Sequence, residues 1–118
     1  MAYASAPCDI WHLDRLADWH RVLAGVKFSS DWNEPHAAGH LRPSAPEDAE
    51  SVLRTWAGPI LILHGSREMS FPVSLARTLH AALPASTLAE IPDAAHMAHF
   101  DNPQAWLAGI RGFLCATR

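Results

Sequence analysis

A chain of 118 residues is long enough for one domain, which should bury roughly two-thirds of the surface its unfolded form exposes. Its 49% hydrophobic and 18% charged residues are those of an ordinary globular protein, and a net charge of −3 with scattered signs argues against nucleic acid as a partner. No apolar run reaches the ~20 residues of a membrane span, and MAYASAPCDIW lacks the basic segment and apolar core of a secretory signal, so the expected compartment is the cytoplasm.

Residues 9 to 24 carry a helical pattern. Asp9 can cap it, Ile10, Leu13, Leu16 or Ala17, and Leu23 share a face, and Gly25 can stop it. From Val26 to Pro46 the prolines, Gly39 and polar residues predict an irregular connection. Ser44 and Glu47 form a capping box for a helix that runs to about Trp56 and ends at Gly58. Pro59 opens a strand at about 60–64, in which Ile60, Leu61, Ile62 and Leu63 are apolar on both faces, as in a strand buried within a parallel sheet. Pro72 starts a helix with a stripe of Val73, Leu75 or Ala76, Leu79, and Ala82 or Leu83, ended by Pro84. Residues 86–91 form a more polar edge strand. The last helix has a capping box in Asp101 and Gln104, Pro103 in its first turn, and a face of Trp106 or Leu107, Ile110, Phe113 and Leu114. The order β, α, β, α predicts an α/β fold of parallel strands with right-handed crossovers. Cys8 and Cys115 have no metal or redox spacing and are expected as free, buried thiols, with a disulfide between them as the alternative.

In open parallel sheets functional groups gather just past the carboxyl ends of the strands. Glu68 lies five residues past Leu63 and His96 five past Ile91, so both belong to that rim. An acid and a histidine there can supply the acid–base half of a hydrolytic triad. Asp93 is the second candidate acid, better suited to shaping the turn before His96. His64 ends its strand and is read as a brace for the loop. His99 makes an H-x-x-H pair with His96, but without i,i+4 helical spacing, and a third zinc ligand would have to be Asp93 or Asp101. No metal or cofactor is expected. His12 with His20, and His36 with His40, are read as surface residues. Trp11, Trp19 and Trp32 either shape an apolar substrate entrance or are surface left uncovered where the rest of a cap is absent.

Two of these segments carry a family resemblance. PILILHGSREMSFP resembles the penultimate-strand motif of the α/β-hydrolase superfamily, an apolar strand followed by H-G-x-x-D and a nearby Pro. IPDAAHMAHFDNPQAWLAGIRGFL resembles that superfamily's closing segment: edge strand, small-residue turn, catalytic histidine, terminal helix. The match covers about residues 44 to 115. It implies that His96 is the general base, that Glu68 stands where the family most often has Asp and orients the imidazole, and that Met69, Phe71 and Met97 wall the substrate pocket. The family's G-x-S-x-G elbow and H-G-G oxyanion loop have no counterpart in this sequence. The chain is therefore read as the C-terminal part of such a fold. Residues 1–45 form a cap-like helical segment and linker, and 46–118 the C-terminal part of the core.

The resemblance implies hydrolysis of a small ester, thioester or lactone, with the nucleophile outside the chain and the chain alone inactive. The alternatives are a non-catalytic subunit, completed by another chain or by self-association through its exposed sheet edge, and a small metal-binding protein using His96 and His99.

Overall fold

The computed structural model describes residues 2–27, 29–41 and 47–117. The elements run α1 (Ala2–Asp9), a 3-10 turn (Leu13–Arg15), α2 (Leu16–Ala24), α3 (Asn33–Ala37), α4 (Ala49–Thr55), β1 (Ile60–Gly65), α5 (Val73–Ala82), β2 (Ser86–Ile91), α6 (Ala98–Asp101) and α7 (Pro103–Ala116). This is a mixed α/β arrangement of two parallel strands with flanking helices, as the β, α, β, α order predicts.

β1 and β2 pair in register from Ile60 opposite Ser86 to Gly65 opposite Ile91. Because side chains alternate along a strand, the two faces can be assigned from their contacts. α5 covers the face of Ile62, His64, Ser86 and Glu90. There Arg77 donates two 2.7 Å hydrogen bonds to the Glu90 carboxylate, and His80 Nδ1 pairs with Ser86 Oγ at 2.7 Å. α7 covers the opposite face, where Gly109 lies so close that a Cβ there would meet Leu63 at 3.1 Å and Ala89 at 3.3 Å. The sheet is thus sandwiched between one helix on each side. Each strand has one outer edge without a strand partner among the described residues.

Two clusters form the core. Ile91, Ala94 and Ala98 pack with Leu63, Ala105 and Trp106 under the sheet. Ala6, Ile10, Trp19 and Leu23 form the second cluster, against which Leu16, Met97 and Phe100 pack. Ile10 and Ile91 are fully buried, each contributing about 1.5–3 kcal/mol of apolar transfer. The second cluster is how the N-terminal segment attaches to the residues that follow His96.

Several sequence expectations are corrected. The helix predicted over 9–24 is split: α1 ends at Asp9, and α2 begins only at Leu16. Asp9 does not cap it. Its carboxylate accepts the Trp19 indole N–H at 3.2 Å, and its carbonyl accepts Met97 N–H at 2.8 Å. The buried face is Ile10, Trp19 and Leu23, whereas Leu13 is exposed. The segment from 26 to 46 contains the short helix α3. Ser44 of the proposed capping box lies outside the described residues, while α4 ends at Thr55 with Trp56 as its C-cap, in line with a helix running to about Trp56. Ile60 to Leu63 are only half-buried, because among the described residues β1 is paired on one side alone. The cap of α7 is Asn102, whose side chain accepts Ala105 N–H at 3.1 Å, with Pro103 at the first helical position. Asp101 is employed elsewhere. Cys8 and Cys115 are free but exposed, not buried. No helix among the described residues is long and apolar enough to cross a membrane.

Candidate functional site

Parallel pairing brings the carboxyl ends of β1 and β2 side by side, and the two loops that leave them are laced together. Ser66 N–H donates to Ile91 O and Arg67 N–H to Ala94 O, both at 2.9 Å. The approach is close enough to require glycine at the end of β1. A Cβ on Gly65 would sit 2.3 Å from the Ala95 carbonyl oxygen and 2.4 Å from that of Ala94. On the other loop Asp93 takes φ = 49°, the left-handed conformation that Asp tolerates better than most residues, and its N–H donates to Ser66 Oγ at 3.2 Å.

This lacing sets Glu68 against His96. Nδ1 of His96 lies 2.7 Å from Glu68 Oε2. The other carboxylate oxygen accepts Ser70 N–H at 2.7 Å and Phe71 N–H at 3.4 Å, so the acid is held by its own loop. The glutamate side chain is 6% accessible, while the imidazole is 44% accessible. Burial by itself would raise the Glu68 carboxyl. The hydrogen bonds from Ser70, His96 and Phe71, with the attraction of the imidazole, outweigh it and hold the carboxyl below its ordinary value. An ionised carboxylate at Nδ1 fixes the proton of the neutral ring there and leaves Nε2 as an open base. Among the described residues no hydroxyl or thiol hydrogen-bonds to Nε2.

A cavity of about 410 Å³ adjoins the pair. Its wall includes Glu68 and His96 together with Ile62, Phe71, Leu75, Leu79, Ala98 and Trp106. Four consecutive β1 residues, Ile62 to Gly65, line it alongside residues of α5 and α7 from the two opposite faces. The cavity therefore runs along the unpaired edge of β1, between the two flanking helices. Its volume is that of a small-ligand site and its lining is mainly apolar.

The other sequence candidates fall as follows. Phe71 lines the cavity, its ring 6.3 Å from that of His96. Met97 instead packs into the N-terminal cluster, and Met69 is half exposed outside the cavity wall. His64 Nδ1 faces the Gly65 carbonyl at 2.9 Å, consistent with a brace, and also lines the cavity. Asp93 lies 3.9 Å from Arg67 and does not meet the imidazole. The His99 ring lies tilted against that of Trp106, 6.0 Å between centroids, and no group of three His, Cys, Asp or Glu among the described residues could hold a metal ion. Trp19 is buried against Phe100, Trp11 is half exposed, and Trp32 is exposed.

Asp101 is the residue sequence reasoning misplaced. Its buried carboxylate accepts N–H groups from Trp11, His12 and Ala95. A signal was present: a proline at the first helical position makes the residue before it, Asn102, the cap and frees Asp101 for another task. Comparison of the chain with family models, with curated proteins and with solved structures gives no match.

Proposed function

We propose that this chain carries the acid–base half of an α/β-hydrolase-type active site, with His96 as general base and Glu68 as the acid that orients it. The observation that carries the reading is the 2.7 Å contact between Glu68 and Nδ1 of His96, made above two parallel strands with Nε2 left open. In that arrangement Nε2 takes the proton of an attacking hydroxyl and returns it to the leaving group, and the carboxylate stabilises the imidazolium formed in between. The mainly apolar cavity beside the ring suits the acyl part of a small ester, thioester or lactone. The nucleophile and oxyanion donors come from outside this sequence, which has no G-x-S-x-G turn.

Turnover of short-chain p-nitrophenyl esters tests the reading. The chain alone is expected to be inert, since base and acid without nucleophile lose most of the acceleration. Joined to an in-frame strand–G-x-S-x-G–helix segment encoded ahead of Met1, it should turn over ester and lose about 10⁴-fold or more on His96→Ala. Turnover by the isolated chain that disappears with His96→Ala would overturn the assignment of the nucleophile. The absence of any such segment ahead of Met1 would remove the hydrolase reading.

A second reading is favoured by the β1 edge. A strand that opens with four apolar residues and has one edge unpaired among the described residues, flanked by a cavity between two helices, is a template for another strand. A completing chain, or a second copy, would pair there. Size-exclusion chromatography with light scattering separates the outcomes: a monomer at all concentrations speaks against any need for a partner.

A further inference from the structure

We propose that Asp101 is the positioning residue of this site, setting the imidazole of His96 against Glu68 without touching either; the functional weight of this rests on the reading of His96 as general base. Asp101 is one of two buried polar residues among those described, with 6% of its surface accessible. Its Oδ2 accepts Ala95 N–H at 2.9 Å and Trp11 N–H at 2.9 Å, and its Oδ1 accepts Trp11 N–H at 3.1 Å and His12 N–H at 3.2 Å. Ala95 immediately precedes His96. Met97 immediately follows it and donates to the Asp9 carbonyl at 2.8 Å. Both peptide neighbours of the imidazole are thus tied to fixed acceptors, and both ties lead to residues 9–12 of the N-terminal segment.

A carboxylate is required for this, not merely a polar side chain. Three backbone donors converge on two oxygens, and an amide in the same place would turn its NH₂ toward one of them. A charge in a buried site is costly unless hydrogen bonds satisfy it, and bonds to an ionised acceptor are about twice as strong as neutral ones. Arg15 approaches the same corner but spends its guanidinium on the carbonyls of Phe100, at 2.8 Å, and Asp101, at 3.4 Å, leaving the carboxylate to the N–H groups. Trp11 closes the circuit on the acid side: its N–H meets Asp101 while its ring lies under the Arg67 guanidinium, 5.2 Å from the centroid, one residue before Glu68. Asp101 is therefore the node through which the two loops and the N-terminal segment share one geometry.

The test reads His96 itself. In the ¹⁵N-histidine-labelled chain, long-range proton–nitrogen correlation spectra should show the neutral His96 ring with its proton on Nδ1, and Glu68→Ala should convert that pattern to a mixture of tautomers. Asp101→Asn is expected to shift His96 toward the Glu68→Ala pattern while the signals of His80, far along α5, hold their positions. An unchanged His96 in folded Asp101→Asn overturns the proposal. Should that variant fail to fold, Asp101→Glu retains the charge but displaces the oxygens by a methylene. Folded and with His96 shifted, it supports the proposal, and with His96 unmoved it overturns it. Loss of folding in both variants makes Asp101 a folding residue alone and overturns it equally. The readout involves no substrate, so its failure leaves the ester assay to decide the hydrolase reading, and a failed ester assay leaves this geometry in place.

Discussion

Replacing Gly65 by alanine would drive a methyl group to 2.3 Å from the Ala95 carbonyl oxygen and 2.4 Å from that of Ala94. Both atoms are backbone, so no side chain can swing aside, and the loop bearing His96 must retreat by about 1 Å to restore ordinary contact. A retreat of that size costs about 1–3 kcal/mol as overpacking. It also stretches the 2.9 Å bonds from Ser66 and Arg67 to Ile91 and Ala94, each worth about 1 kcal/mol. The expected loss is on the order of 3 kcal/mol, a large share of the 5–15 kcal/mol typical of a domain. Urea unfolding followed by tryptophan fluorescence measures it, the midpoint falling with an unchanged slope. Gly112→Ala is the matched control: a Cβ there meets nothing within 4 Å inside α7, so helix propensity alone should raise stability by about 0.5–1 kcal/mol. A Gly65→Ala midpoint at or above wild type would refute the close approach of the two loops.

Glu68 gives a pH prediction whose sign is fixed. Its folded carboxyl lies below the ordinary value of 4.5, so the stability it contributes is present above that value and is lost as pH falls through the lower, folded one. Glu68→Gln should therefore flatten the acid limb of a urea-midpoint-against-pH curve, and parallel curves would contradict the assigned hydrogen bonds. Ile10→Ala empties a fully buried site in the N-terminal cluster and should cost about 2–5 kcal/mol, with limited proteolysis reaching residues 4–24 first. If the cluster is not continuous with the rest of the core, that cleavage will leave the urea midpoint of the remainder unchanged. Cys8 and Cys115 should both react promptly with a thiol-specific disulfide reagent in the native protein, and a slow phase released only by denaturant would contradict their exposure.

The pairing of Glu68 with His96 was legible because it depends on two short-range signals and one general rule. Each residue follows an apolar strand by five positions, and parallel strands joined through a helix present their carboxyl ends to the same rim. The end of β1 and the turn at Asp93 were legible for the same local reason. What eluded sequence reading is non-local. Nothing near Asp101 in sequence announces that Trp11 and His12, ninety and eighty-nine positions away, donate to it. Asp9 looked like a helix cap because capping chemistry is local, whereas its carbonyl is taken by Met97 and its carboxylate by Trp19. The split between α1 and α2 arises the same way, since Trp11 and His12 turn their N–H groups to Asp101 instead of continuing a helix. Met97 illustrates the limit of reasoning by adjacency: it neighbours His96 in sequence yet faces the opposite cluster.

The unequal accessibility of the two partners, 6% for the glutamate side chain and 44% for the imidazole, has a consequence for how protons move. The acid is held by the N–H groups of its own turn, and the imidazole is the more solvent-accessible member of the couple. Protons from bulk solvent therefore meet the heterocycle before its shielded counterweight.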